Sequence, residues 1–461
     1  MGARDFSGGS AGAVKASGYS RDTRTLAPGE LYFALQGESF DGHDFLEQAA
    51  QAGASGAVVA RRPPEAPQGF ALIVVRDTLE ALQRLAAWHR SRLDVKVIAI
   101  TGSCGKTTTK EMAHAIVRGA GASSATLGNL NNHIGVPLTL LRLGEETRFA
   151  VVEMGCNHAG EIALLTRLAD PDVGLITCVA PTHTEFLGDV DGVAAAKSEL
   201  FAGLRPESTS VVNLDDPRVS AMAIGSKRKV TYGAGTGRGR AGPDVALLEA
   251  AADSDFSGQG LKLDVGGKAV NARLNMPGRH NAHNALAAAA AAHAVGLDAD
   301  HIVRGLGQVR PLEGRGGLRR GRFTIIDEAY NASPAAVRAA LASLDEIADG
   351  KRRVAMLGDM LELGRGAPQY HREAGGEAAR KADLIVAIGD FRKEIVRGAV
   401  EAGAKADNLF EFAKAAQAAE FLGRSALLKE GDTILVKGSR AVKMEIIVQR
   451  IVGLMEKTDA V

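Results

Sequence analysis

Residues 95–110, VKVIAITGSCGKTTTK, place a lysine and a threonine directly behind a glycine at the end of an apolar, β-branched run. The six residues Gly102, Ser103, Cys104, Gly105, Lys106 and Thr107 are suited to gripping a polyphosphate. Glycines let backbone N–H groups turn inward on an anion, and a helix N-terminus adds partial positive charge. Lys106 brings a mobile cation, and the Thr107 hydroxyl can ligate Mg2+. The spacing is the short G-x-x-G-K-T form, because Ile100 stands where the longer G-x-x-x-x-G-K-[ST] pattern needs glycine. A strand before and a helix after complete the context, so the chain is expected to handle ATP or GTP.

Such a loop needs a sheet behind it. Apolar runs recur from Val95 onward, and each ends in a polar residue: VKVIAI at the phosphate loop, FAVVE at Glu153, VGLITCVAPTH near His183, and SVVNLDD at Asp215 and Asp216. Near-continuous apolar strands alternating with helices indicate a parallel sheet buried on both faces, with ligands at its carboxyl edge. That puts Glu153 and His183 on the same edge as Lys106, as candidate partners of a magnesium-bound nucleotide. Singly, a histidine after a strand is more often structural and a strand-end glutamate is often only solvated; convergence on one edge favours the functional reading. Lys197 follows in a helix-like, alanine-rich stretch. It is either an ordinary surface lysine or, if desolvated, a neutral amine able to react with CO2 and give an anionic carbamate ligand. Cys104 is either a reactive thiol activated by the helix dipole and Lys106, or a small apolar filler.

A chain of 461 residues exceeds one hydrophobic core and, at roughly 150 residues per domain, suggests about three. Hydrophobic residues are 46% and charged ones 24%, which allows packed cores and excludes disordered and collagen-like classes. Lysine and arginine number 55 against 54 acidic residues, leaving no long-range field to attract nucleic acid or anionic lipid. The basic run at 315–322, RGGLRRGR, reads as a solvated hairpin or loop. Cys104, Cys156 and Cys178 lack C-x-x-C spacing, which argues for a reducing compartment and against a structural zinc site. No apolar stretch approaches membrane-spanning length and no signal-peptide pattern opens the chain, so a cytoplasmic enzyme without membrane insertion is expected.

The fold class expected is α/β in three domains: a small N-terminal α/β domain over 1–93, a central P-loop domain with a mainly parallel sheet over 94–311, and a C-terminal doubly wound, Rossmann-like domain over 312–461. Short strand candidates at 31–35, 56–60 and 71–75 mark the first. Residues 235–272 read as a small antiparallel excursion; the G-x-G-x-x-G spelling at 237–242 inside it is a loop, since Pro243 follows and no helix opens there. An alanine-rich helix at 281–295 leads to a hinge candidate at 309–317. Beyond it RFTIIDEAYNASP, RRVAMLGDMLELG, ADLIVAIGD and DTILVKGSRAVKME form four strand–loop–helix units.

In order along the chain, TGSCGKTTTKE, GNLNNHIGVPLTLL, VVEMG, THTEFLG, AAAKSEL, GRHNAHNALAAAAAA, DEAYNASP, GDMLELG and KGSRAVKME resemble the motif series of the Mur ligases, from about Ser20 to Lys443. The resemblance implies an ATP-dependent amide ligase that joins D-Ala-D-Ala to UDP-MurNAc-tripeptide for cell-wall synthesis, working as a monomer with Mg2+. It implies Thr107, Glu153 and His183 around magnesium, Lys197 carbamylated beside them, and Thr108 with the phosphate loop. Asn281 and Asn284 would lie on the adenine side, and Arg315 and Asp327 would reach the nucleotide from the third domain. Thr23 and Arg24, with GESFDGHDF, resemble uridine-nucleotide elements. Asn131 and Asn132 of the Asn-rich block, and Tyr330 and Asn331 of DEAYNASP, would meet the other substrates. Two departures stand out: SGGSAGAVKASG replaces the usual element before the Asp22-Thr23-Arg24 block, and Glu328 and Ser333 stand where the family more often has Asp and Asn.

A carboxylate resists an amine because oxide would have to leave, so ATP must first make it an acyl phosphate, with Lys106, Mg2+ and loop N–H groups neutralising the moving charge. Water must be kept out, and a third domain hinged near Pro311 offers the closure. Two rivals are another acid:amino-acid ligase, such as a folylpolyglutamate-type enzyme, and a GTPase switch. The latter lacks an N-K-x-D guanine-reading motif.

Overall fold

The computed structural model describes residues 5–7, 15–37, 39–65, 70–235 and 242–456. Its strands form three sheets that follow one another along the chain. In the first, Leu72–Val74, Gly56–Val59, Glu30–Phe33 and Gly18–Ser20 run parallel in that spatial order, with Asp5–Ser7 antiparallel at the edge. The helix Thr78–Ser91 opens where the Asp77 carboxylate accepts from the Leu79 and Glu80 N–H groups. Its Ala81, Leu82 and Ala86 pack in one apolar layer with Leu31, Phe33 and Val58 of the first sheet and Val97, Val136 and Val152 of the second unit. Burial of that shared layer fixes the first unit against the next.

Nine strands form the second sheet. Lys96–Thr101 lies at its heart, flanked in parallel by Phe149–Glu153 and Val173–Ile176. Both faces are covered by helices, which is why five of its six residues are buried and why the run carries no alternation. Residues 245–274 form the expected antiparallel excursion, and it stays attached to the main sheet. Val245–Ala252, Gln259–Val265 and Lys268–Leu274 are antiparallel to one another, yet Val245–Ala252 joins Arg228–Ala234 in parallel and so extends the main sheet. Val245, Leu263 and Leu274 place their side chains in the same core as the alanine-rich helix Arg279–Ala294, and that common burial holds them to the sheet. The G-x-G-x-x-G spelling lies, but for Gly242, outside the described residues. The apolar run ending near His183 is strand only as far as Ile176, and the rest is loop.

Six strands make the third sheet: Gly317–Arg320, Thr324–Glu328, Thr433–Lys437, Arg353–Gly358, Leu384–Ile388 and Leu409–Phe412. The basic run supplies its first strand, an antiparallel hairpin arm whose Arg319 and Arg320 are exposed. Leu409–Phe412, at the far edge, escapes the four expected units because its residues are only partly buried and carry no continuous apolar run. The last strand in sequence, Thr433–Lys437, inserts between Thr324–Glu328 and Arg353–Gly358, so the chain order reverses there. Such a reversal opens a crevice beyond the carboxyl ends of the strands. Among the described residues, no helix is long and apolar enough to cross a membrane.

Candidate active site

The carboxyl ends of the second and third sheets face each other across one cleft of about 1010 Å3. On the second-sheet side the phosphate loop starts the helix Lys106–Arg118, with Gly105 at its N-cap in the left-handed region, φ 79°. A Cβ there would sit 2.3 Å from Asn284 Oδ1, and one on Gly102 would sit 1.9 Å from Thr177 Oγ1. Glycine is therefore required twice, by conformation at Gly105 and by close packing at both. Lys106 Nζ donates to the Gly102 carbonyl at 2.6 Å, and Ser103 Oγ donates to the Ala180 carbonyl at 2.9 Å.

Glu153 ends its strand inside the cleft and is 2% exposed. Its Oε1 accepts from Asn131 Nδ2 at 2.7 Å, while Oε2 is buried with no hydrogen-bond partner. An orphaned carboxylate oxygen facing a nucleotide loop is suited to a hard cation. His183 lies across from it with φ 54°, its Nδ1 2.5 Å from Glu362 Oε2 of the third unit. Glu362 is left-handed too, at φ 63°; such conformations cost a non-glycine residue about 1–2 kcal/mol each. This junction therefore carries strain, held by the bonds from Thr184 Oγ1 to the Leu363 carbonyl and from the Glu185 N–H to that of Glu362.

Lys197 is 1% exposed, within the helix Val190–Ala202. Its Nζ meets Cys156 Sγ at 3.9 Å, a soft partner for an ammonium. Burial lowers its pKa from 10.5 to about 8. The surface-lysine alternative is thereby excluded, and roughly a tenth of the amine is uncharged at pH 7, rising to about half near pH 8.

The third unit supplies the opposite wall. Parallel register pairs Glu328 with Lys437, and Lys437 Nζ donates to Glu328 Oε2 at 3.0 Å and to the Asn331 carbonyl at 3.1 Å. Burial pushes the Glu328 pKa up, but Lys437 and His280 more than offset it and hold the carboxylate below its ordinary range. Asp327 precedes it by one residue, pairs with Val436 and does not line the cleft. Its nearest cation is Arg319, at 3.8 Å, and burial raises its pKa. The expectation that Asp327 reaches the nucleotide side is therefore corrected: strand neighbours point to opposite faces, and Glu328 has the cleft face. Glu328→Gln should reduce turnover roughly tenfold or more with folding intact, whereas Asp327→Asn should leave turnover within roughly twofold; steady-state kinetics beside thermal melts checks both.

Arg315 lines the same wall, its guanidinium stacked 3.9 Å from the Tyr330 ring centroid. Arg315→Ala should cut turnover by roughly 10²-fold, as loss of a preorganised cation does, while leaving uridine-nucleotide affinity unchanged. Arg315→Lys should recover little, because a point ammonium lacks the planar stack. Kinetics paired with calorimetry decides, and unchanged turnover would refute the assignment.

The cleft thus gathers Ser103, Cys104, Gly105, Lys106, Thr107, Thr108, Asn131, Asn132, Glu153, His183, Asn281, Asn284, Arg315, Tyr330 and Asn331. Asn132 uses its side chain to accept from the Ile134 and Gly135 N–H groups, and Asn281 donates to the Pro277 carbonyl. Gly102 and Lys197 stand behind the lining rather than in it. Thr23 and Arg24 lie on the first unit: Thr23 Oγ1 meets Gln48 at 3.3 Å, and Arg24 pairs with Asp22 at 2.6 Å. Sequence reasoning missed Cys178, His280, Glu328, Glu362 and Lys437 as parts of this cleft; the charged residues at the ends of the DEAYNASP and KGSRAVKME strands were the available signal for two of them.

Comparison with known proteins is consistent along the whole chain. Family models match in order: Mur ligase family, catalytic domain, over residues 15–90; Mur ligase middle domain over 100–292; and Mur ligase, glutamate ligase domain, over 314–440. The UDP-N-acetylmuramoyl-tripeptide–D-alanyl-D-alanine ligase of Bacillus subtilis is 36% identical over 439 residues, covering 94% of this chain and 93% of its own. That of Escherichia coli is 38% identical over 448 residues, covering 93% and 92%. A crystal structure of MurF from Acinetobacter baumannii superposes with a TM-score of 0.83 at 34% identity, covering 95% of this chain and 93% of its own. The MurF ligase of Thermotoga maritima in complex with ADP shares the fold, with a TM-score of 0.81 at 24% identity over 96% and 99% of the two chains.

Proposed function

The chain belongs to the Mur ligase family, and from that premise we propose that it joins D-alanyl-D-alanine to UDP-N-acetylmuramoyl-tripeptide through an amide bond, cleaving ATP to ADP and phosphate. The observation that carries the reading is the single cleft in which a phosphate loop on one sheet faces Arg315, Glu328 and Lys437 on another. ATP is read by the loop from Gly102 to Thr108, with Asn281 and Asn284 on the base side. Thr23 and Arg24 are assigned to the uridine nucleotide, and Asn131, Asn132, Tyr330 and Asn331 to the peptide substrates. The division into 1–93, 94–311 and 312–461 matches these tasks: nucleotide-sugar recognition, ATP handling and closure. A reducing compartment such as the cytoplasm fits a chain whose three cysteines are all free thiols, and a monomer is assigned from the resemblance alone.

Transfer of the γ-phosphoryl group to the tripeptide carboxylate converts it to an acyl phosphate, and the neutral dipeptide amine attacks that carbon. Lys106 follows the transferring oxygens as a mobile cation, and the loop N–H groups hold the remaining phosphates. Among the described residues no three His, Cys, Asp or Glu side chains cluster as a self-sufficient metal site. Mg2+ fits nonetheless, since the orphaned Glu153 oxygen is a hard donor and the ion completes its shell from phosphate and water. Thr107, Glu153 and His183, with carbamylated Lys197, would hold it, and it would neutralise phosphate charge. Docking of 359–364 onto the His183 turn keeps water from the acyl phosphate.

One assay tests the whole: phosphate release with UDP-MurNAc-tripeptide, D-Ala-D-Ala and ATP, each omitted in turn. Release that requires all three is expected. Release supported by a single amino acid, or by a folate with glutamate, would overturn the substrate assignment.

A further inference from the structure

We propose that Cys104 and Cys178 form an oxidisable dithiol in the phosphate loop, which closes to a disulfide on reaction with a peroxide and reopens with a thiol reductant. The two residues are 74 apart in sequence, yet the segments carrying them run side by side. The Ser103 N–H donates to the Cys178 carbonyl at 2.9 Å, Thr177 Oγ1 donates to the Cys104 carbonyl at 2.6 Å, and Cys178 Sγ approaches that same carbonyl at 3.7 Å. These three contacts join three residue pairs across the two segments and hold the two cysteines next to each other, which is the juxtaposition a bridge needs. Both cysteines are partly exposed in the cleft, where a small oxidant reaches them.

Chemistry distinguishes the two thiols. Cys104 Sγ lies 3.3 Å from Ser333 Oγ. Hydrogen bonding from Cys178 leads the influences that hold the Cys104 thiol below its ordinary range, with Ser333 and the nearby Lys106 adding to it, whereas Cys178 is pushed well up. The helix start named at the sequence level is thus joined by a neighbouring thiol as activator. Cys104 is the attacking sulfur and Cys178 the resolving one. Cys156, 6% exposed and turned to Lys197, takes no part.

The step balances as follows. Cys104 thiolate attacks one peroxide oxygen, the O–O bond breaks, and the departing hydroxide takes up a proton as water, leaving a sulfenic acid on Cys104. Cys178 sulfur then attacks that sulfur, the S–O bond breaks, and the oxygen leaves as a second water carrying the Cys178 proton. The thiols lose two electrons and two protons, and the peroxide receives them.

Bridging draws Cys104 Sγ off Ser333, the N-cap of the helix Pro334–Ala348 on the third unit, and locks the loop that must fold round a phosphate. The consequence for turnover rests on the ligase reading above; the bridge itself does not. The test is to treat the reduced full chain with hydrogen peroxide, block free thiols with iodoacetamide, and map digested peptides by mass spectrometry. A linked Cys104–Cys178 peptide that dithiothreitol removes is expected, with phosphate release down roughly tenfold or more in the bridged protein and restored on reduction. Cys178→Ser should leave Cys104 progressing to sulfinic acid. No linked peptide, or a bridge to Cys156, would overturn the proposal in the unaltered chain. A mapped bridge with undiminished release would overturn the loop's control. A mapped bridge in a protein whose reduced form releases no phosphate would support the dithiol and count against the ligase reading alone.

Discussion

Lys197→Ala is expected to lower ligation by roughly 10²–10³-fold, the range for loss of a preorganised electrostatic group, while the chain still folds. The residue is buried with a thiol as its nearest polar contact, so its usual charged state is poorly supported where it stands. Carbamylation would replace a badly solvated cation by an anionic oxygen ligand of the kind a magnesium ion takes. The same chemistry predicts a CO2 requirement. Activity should fall in buffers depleted of CO2, return with bicarbonate, and rise with pH through about 8 as the amine loses its proton. A carbamate carbon signal with labelled bicarbonate, absent in Lys197→Ala, completes the check; full activity without CO2 and no such signal would sink it. Stability carries an independent signature. The folded pKa of about 8 lies below the ordinary 10.5, so between these values the unfolded chain binds a proton that the fold does not. The burial penalty is therefore fully present below about 8, and in CO2-free buffer stability should rise with pH from there toward 10.5. Lys197→Met should flatten that rise in thermal melts.

Lys106→Ala should reduce ATP-dependent phosphate release by roughly 10³-fold, since a phosphoryl group transfers almost wholly by positioning and charge neutralisation. Lys106 is the phosphate loop's own ammonium, held against the Gly102 carbonyl at 2.6 Å and able to swing to a phosphate through its flexible stem. Uridine-nucleotide binding should be unaffected, because Thr23 and Arg24 lie in the turn between Gly18–Ser20 and Glu30–Phe33 of the first sheet and do not line the cleft. Calorimetry with the uridine nucleotide and with ATP separates the two effects. Equal weakening of both would mean that the substitution had disturbed the fold rather than the chemistry.

The features most legible in the residue string were contiguous ones. The loop from Gly102 to Thr107 declares its task because glycines, lysine and threonine sit within one turn, and the strand before it is apolar throughout. Glu153 and His183 were readable one step less directly, through the rule that parallel strands present their carboxyl ends to one edge. Asp327 marks where that reasoning failed. Two acidic residues in succession cannot both face a ligand from one strand, and which does so depends on the register with Thr433–Lys437, a strand more than 100 residues away. Cys178, Glu362 and Lys437 were hidden for the same reason, each acting only through a partner distant along the chain.

By itself the residue order determined the buried central strands and the helices between them, that a parallel sheet must bury those strands, and which loop takes a phosphate; the edge strand Leu409–Phe412 and the loop after Ile176 escaped it. Those properties follow from local periodicity, apolar content and short spacing. The tertiary structure alone decided that Glu328 rather than Asp327 faces the cleft, that Lys197 is desolvated beside a thiol, and that two cysteines meet under the phosphate loop. Each of these depends on strand register and on packing between sheets, where free energy comes from contacts among residues far apart in the chain.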